Sequence, residues 1–168
     1  MNQLTVFKLI SFLLVPVALL FGLMSIIVFM MALSANPALL LMAFAMACFV
    51  MYVFASLYFL MFSINNQRPC KSSLKDWIKV NAYGSLFISV LFLMNASAVF
   101  FINDINLRQI ISEMMEQQPA ISGKITLDVF IKMFRVVAGL MFIISALTIT
   151  HILMNFKLLK RYDYLFSK

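Results

Sequence analysis

Two stretches of this chain run without a charged residue for longer than a lipid bilayer is thick. Leu9 to Leu33 and Ala38 to Ile64 contain no Asp, Glu, Lys or Arg. An α-helix rises ~1.5 Å per residue, so ~20 apolar residues cross a hydrocarbon core of ~30 Å. Two later stretches also qualify, at about 80–102 and 130–156, with Phe130 to Arg135 forming the outer approach to the last. In lipid an isolated apolar segment can pair its own backbone groups only as a helix. Unbroken apolar runs also exclude a β-barrel, whose strands alternate over ~10 residues. The expected fold class is therefore all-α: an integral membrane four-helix bundle, forming a single membrane domain over 1–168.

Composition points the same way. Of 168 residues, 64% are hydrophobic and 11% charged, against ~45–50% and ~25% in soluble domains. So few charges cannot coat a soluble globule, and disorder, a disulfide scaffold and a collagen-like fibre are excluded as well. The net charge of +7 suits cytoplasmic loops and anionic lipid. No basic run with interleaved aromatics lies outside the spans, so no nucleic-acid partner is expected.

The first span is too long for the ~7–15-residue core of a secretory signal, and only Lys8 precedes it. An uncleaved anchor is expected. Ser34 to Pro37 leave room only for an antiparallel hairpin between spans one and two. Pro37 suits the first turn of span two.

Orientation follows from the cations. Lys8, Arg68, Lys71, Lys75, Lys79, Lys157, Lys160, Arg161 and Lys168 fall on one side, with Asp76 and Asp163. Arg108, Lys124, Lys132 and Arg135 fall on the other, with Asp104, Glu113, Glu116 and Asp128. The excess of Lys and Arg places both termini and the Asn65–Lys79 loop in the cytoplasm. Trp77, Tyr83, Tyr162 and Tyr164 mark the inner boundary.

The outer loop, Asn103 to Val129, holds Leu107, Ile110, Ile111, Met114 and Met115 at helical spacing. A short amphipathic helix ending at Pro119 is expected between spans three and four, either a lid or a helix whose apolar face simply needs cover. Ser122-Gly123 reads as a turn. Thr126 is a candidate N-cap for the last helix, with Ile125 and Phe130 as a hydrophobic staple. In the inner loop, Ser73 is a candidate N-cap for a helix running into span three, with Asp76 completing a capping box.

Ionisable groups inside a membrane are costly and mark function by default. The spans offer few polar candidates. Asn81, Ser85 and Ser89 recur at every fourth position of span three, with Ala96 further along the same stripe and Asn95 near its outer half. His151 is the single histidine, near Thr148, Thr150 and Asn155. These polar groups either line a solute path or, more simply, close-pack and hydrogen-bond between helices. One histidine supplies neither a metal site nor a bis-histidine haem, so no metal, catalytic residue or cofactor is expected. Lys71, Lys75 and Lys79, spaced by four, present a face suited to anionic headgroups. Lys132 and Arg135 are candidates for a lipid or anion contact on the outer side, or for pairing with acids such as Asp104. Cys48 and Cys70 lie at different depths, so a disulfide between them is not expected.

The basic Pro69-Cys70-Lys71-Ser72-Ser73-Leu74-Lys75-Asp76-Trp77 loop before span three, and the basic Lys157-Leu158-Leu159-Lys160-Arg161-Tyr162 tail after span four, form a plan that resembles small uncharacterised bacterial four-span inner-membrane proteins. The resemblance implies location and topology but no activity. The outer loop lacks the cysteines of animal tetraspanins, and no Cys-x-x-Cys links the chain to disulfide-generating quinone reductases.

The functional expectation is a polytopic membrane protein, non-enzymatic, acting through association with lipid or a partner membrane protein, with a homo-oligomer as one form of that. The alternative is a small transporter or channel component whose span-three stripe lines a solute path. An intramembrane enzyme built around His151 is the weakest reading, for want of a partner acid, base or metal ligand.

Overall fold

The computed structural model describes residues 3–34, 36–116 and 126–167. Among them are five α-helices: α1 (Gln3–Ser34), α2 (Leu39–Tyr58), α3 (Ser72–Phe101), α4 (Asp104–Glu116) and α5 (Leu127–Arg161). Four are long and apolar enough to cross a membrane: α1, α2 with its continuation to Ile64, α3 and α5. The expected helical class is therefore observed. The contacts divide the chain into two compact units, Met1–Ser89 with Leu147–Lys168, and Val90–Ala146.

In the first unit α1 and α2 form the expected antiparallel hairpin. The Asn36 side chain accepts a bond from the Ala38 amide (3.0 Å) and the Asn36 carbonyl accepts from the Leu39 amide (3.0 Å). An Asx-type turn of this kind reverses the chain in few residues. Along the pair, the Ser25 hydroxyl donates to the Ala43 carbonyl (3.0 Å) and Phe21 meets Phe49 at 5.2 Å between ring centroids. Gly84 of α3 lies against α2: a Cβ there would stand 2.9 Å from the Cys48 Cβ. Only a residue without a side chain permits that approach.

Span two is not one uniform helix. From Phe59 to Ile64 it widens to a π-helix, with the Asn65 amide bonded to the Leu60 carbonyl at 3.0 Å. Such insertions are rare and concentrate at functional sites. The segment ends at Gln67, whose φ of 51° is left-handed, a conformation that costs a non-glycine residue roughly 1–2 kcal/mol. Its side chain offsets the strain, donating to the Ile64 carbonyl (2.9 Å) and accepting from the Tyr164 hydroxyl (3.1 Å).

The structure corrects the start of α3. The helix begins at Ser72, one residue before the expected cap, and its first turn carries no acid. Ser73 is thus inside the helix, and Asp76 lies too far along it to close a capping box. The chain just before it forms β1 (Cys70–Lys71), paired in parallel with β2 (Phe166–Ser167). Lys75 forms an ion pair with Asp163, and Phe59 stacks on Phe166 at 5.1 Å. These contacts fasten the α2–α3 loop to the C-terminal segment.

In the second unit α4 is the expected amphipathic helix. Asn103 caps it, its side chain accepting from the Ile105 amide at 3.2 Å, which satisfies one of the orphan donors of the first turn. Leu107, Ile111 and Met115 bury against Ile131 of α5, while Ile110 and Met114 remain exposed. Opposite charges fix the register: Arg108 bonds Asp128 at 2.7 Å and Arg135 pairs with Asp104. Thr126 immediately precedes α5, and its carbonyl accepts from the Phe130 amide at 3.0 Å. The expected helix end at Pro119, the Ser122-Gly123 turn, and Ile125 of the staple lie outside the described residues.

Candidate functional site

Five polar side chains buried in the first unit form a cluster around His151. Ser11 comes from α1, Tyr52 and Ser56 from α2, and His151 and Asn155 from α5, all at most 1% exposed. The pairs 52/56 and 151/155 are each one helical turn apart, which puts both members on one face. The His151 Nε2 lies 2.8 Å from the Ser11 Oγ, and its Nδ1 lies 2.7 Å from the Tyr52 hydroxyl. Phe7, one turn before Ser11, stacks on the imidazole at 4.4 Å with 9° between the planes, and Tyr52 meets it edge-on.

Counting hydrogens gives this network a direction. Ser11 has one hydroxyl hydrogen, and it goes to the Phe7 carbonyl at 2.8 Å. At Nε2 the serine therefore accepts, so the imidazole donates there. Nδ1 then has no hydrogen and accepts from the Tyr52 hydroxyl. Tyr52 in turn accepts from the Asn155 amide (3.4 Å), which also donates to the Ser56 hydroxyl (2.9 Å). The tautomer is assigned from this donor count.

A serine within hydrogen-bond reach of a histidine is the geometry of an activated nucleophile. The same distances here also hold helices together. The serine hydrogen points to a carbonyl of its own helix, away from the imidazole, and the flat face of the ring is covered by Phe7. The cluster joins three helices through directional bonds inside an apolar interior, where an unpaired polar group is costly, and one such group is present, the Asn155 Oδ1, which has no partner among the described residues. The cluster is a clamp.

The other sequence candidates separate. Asn81, Ser85 and Ser89 are all buried. Asn81 donates to the Trp77 carbonyl (2.8 Å) and Ser85 to the Asn81 carbonyl (2.6 Å), both within α3. Asn95 is exposed and belongs to the other unit. Of the three lysines, Lys75 is committed to Asp163, Lys71 lies exposed in β1, and Lys79 is half-buried on α3. On α5, Arg135 pairs with Asp104 and Lys132 is exposed. Among the described residues no group of three His, Cys, Asp or Glu is placed to hold a metal.

Sequence reasoning named His151 and noted Asn155 but missed Ser11, Tyr52 and Ser56. A signal was present. Each belongs to a charge-free run, and two of them sit four apart on one face of span two.

Compared with protein-family models, with curated proteins and with solved structures, the chain finds no match.

Proposed function

We propose that this chain is an integral membrane protein whose four spans pack as a bundle, and that it acts without catalysis, by association with lipid or with a partner membrane protein. One observation carries the reading: polarity is distributed inside out. Along α1, Leu23 is 63% and Leu33 65% exposed, while Ser11 and His151 are 1% exposed. Water would penalise that arrangement, whereas hydrocarbon favours it. The side chains of Asn81 and Ser85, turned back onto α3, favour association over a solute path. The fastening of the α2–α3 loop to the C-terminal segment agrees with both being on one side. The excess of Lys and Arg there makes that side the cytoplasm, and the likeness to small bacterial four-span proteins suggests the inner membrane.

Single cysteines in a Cys48→Ser, Cys70→Ser background test the topology. Asn36→Cys is expected to react with an impermeant thiol reagent from outside and Asp76→Cys only from within. The opposite pattern overturns the orientation, and release of the protein by alkaline carbonate overturns insertion. Native mass spectrometry of the protein taken directly into nanodiscs tests association: a retained lipid or partner is expected, and a bare monomer contradicts it.

A further inference from the structure

A cleft of about 490 Å³ opens beside the α2–α3 loop, lined by Tyr58 and Phe62, by Lys71, and by Ser73 and Trp77 among others. That volume is within the range of small-ligand sites. No carboxylate is among its lining residues. Lys71 supplies a cation, and the described ion pairs leave its charge to the cleft: the neighbouring Lys75 is the one that meets Asp163. A second cation stands close by, the Arg68 guanidinium 5.8 Å above the Phe62 ring. Ser73 lies in the first turn of α3, which carries no acid of its own, so its amide hydrogens and helix dipole favour an anion.

A second, wholly different surface adjoins this one. A groove of about 510 Å³ runs along the end of α2, lined by Phe54, Leu57 and Met61, and it shares Tyr58 and Phe62 with the cleft. The two stacked rings, 5.1 Å apart, are thus a wall common to a cationic chamber and an apolar channel. Tyr58 and Trp77 are both about half exposed there, as amphipathic rings are at a headgroup boundary. A free phosphate compound would use the chamber and leave the channel empty. A molecule with a phosphate at one end and an acyl chain at the other uses both.

We infer that the cleft and groove together form a site for one anionic phospholipid, with its phosphate against Lys71 and Ser73 and an acyl chain along Phe54 and Met61. The inference rests on the membrane reading above and names the lipid class and the place.

Trp77 is the single tryptophan of the chain and lines the cleft, so its fluorescence reports on lipid at this position with no second indole to confuse it. The full-length protein is placed in nanodiscs containing either brominated phosphatidylglycerol or brominated phosphatidylcholine at equal mole fraction. Phosphatidylglycerol is expected to quench with about fivefold higher apparent affinity, the scale set by one lysine near an anionic headgroup. Lys71→Gln is expected to bring the ratio near one. Lys160→Gln, the same change of charge outside the cleft, is expected to leave it unchanged. Equal quenching by both lipids in the unaltered protein, or an equal loss in the two variants, overturns the site in favour of diffuse charge. Loss of the preference on adding inorganic phosphate assigns the chamber to a soluble phosphate compound and overturns the lipid. Absence of quenching by either lipid is a separate result, which sinks the membrane reading and this inference with it.

Discussion

In the unit of residues Met1–Ser89 and Leu147–Lys168, the apolar core that packs the helices together also holds hydroxyl, amide and imidazole groups bonded across them. In the Val90–Ala146 unit they are joined by aliphatic side chains inside and by Arg–Asp pairs outside. Both solutions tie helices together, but the surrounding medium sets their worth. A buried hydrogen bond cannot exchange its partner for water, so losing it exposes the full cost of an unpaired group. An exposed ion pair exchanges freely with water and salt, and contributes ~0–1 kcal/mol. The contrast teaches that the His151 cluster carries specificity of packing, while the ion pairs of α4 with α5 set register at little energetic depth.

The largest effect is expected from His151→Ala. It opens a cavity and leaves the Tyr52 hydroxyl hydrogen without its acceptor, at a cost of about 2–4 kcal/mol, read as a lower unfolding midpoint in detergent. A midpoint unchanged from the parent protein would erase the contrast. Next comes Gly84→Ala. The new Cβ meets the Cys48 Cβ at 2.9 Å, and forcing α2 and α3 apart costs about 1–3 kcal/mol. A neutral result in the same melt means that the helices slide freely, contrary to a close-packed contact.

Tyr52→Phe keeps the ring and removes the hydroxyl that donates to Nδ1 and accepts from Asn155. A loss of about 1 kcal/mol is expected, since interhelical hydrogen bonds in membranes average below that of a stranded group. Combined with Ser11→Ala in a double-mutant cycle, the two losses should not add, because both act through one imidazole. Strict additivity breaks the network into independent bonds. The smallest effect belongs to Arg108→Gln in the other unit, expected within about 0.5 kcal/mol and smaller still at high salt. A larger loss than that of Tyr52→Phe inverts the comparison.

Much of this was legible in the residues. The four long helices follow from charge-free runs, the hairpin from Ser34–Pro37, and α4 from the spacing of Leu107, Ile111 and Met115. Their signals are local, because helical period and turn chemistry act within a few residues. The π-helix at Phe59–Ile64 and the left-handed Gln67 carry no such signal. The Tyr164 hydroxyl that braces Gln67, and the Phe166 ring stacked on Phe59, come from far along the chain. The same holds for the His151 partners. Helical period puts Tyr52 on one face with Ser56, a pair the sequence reading passed over, and His151 with Asn155, but nothing in either segment says that the two pairs face each other.

The sequence by itself determined that the apolar runs are helical, because backbone hydrogen bonding and solvent exclusion are decided residue by residue, but the helices extend past the apolar runs, α1 back to Gln3 and α5 on to Arg161. Only the tertiary structure decided which polar side chains meet. Ser11 and His151 are 140 residues apart, and a hydrogen bond between them is specified by the crossing of helices, to which hydrophobic periodicity is blind.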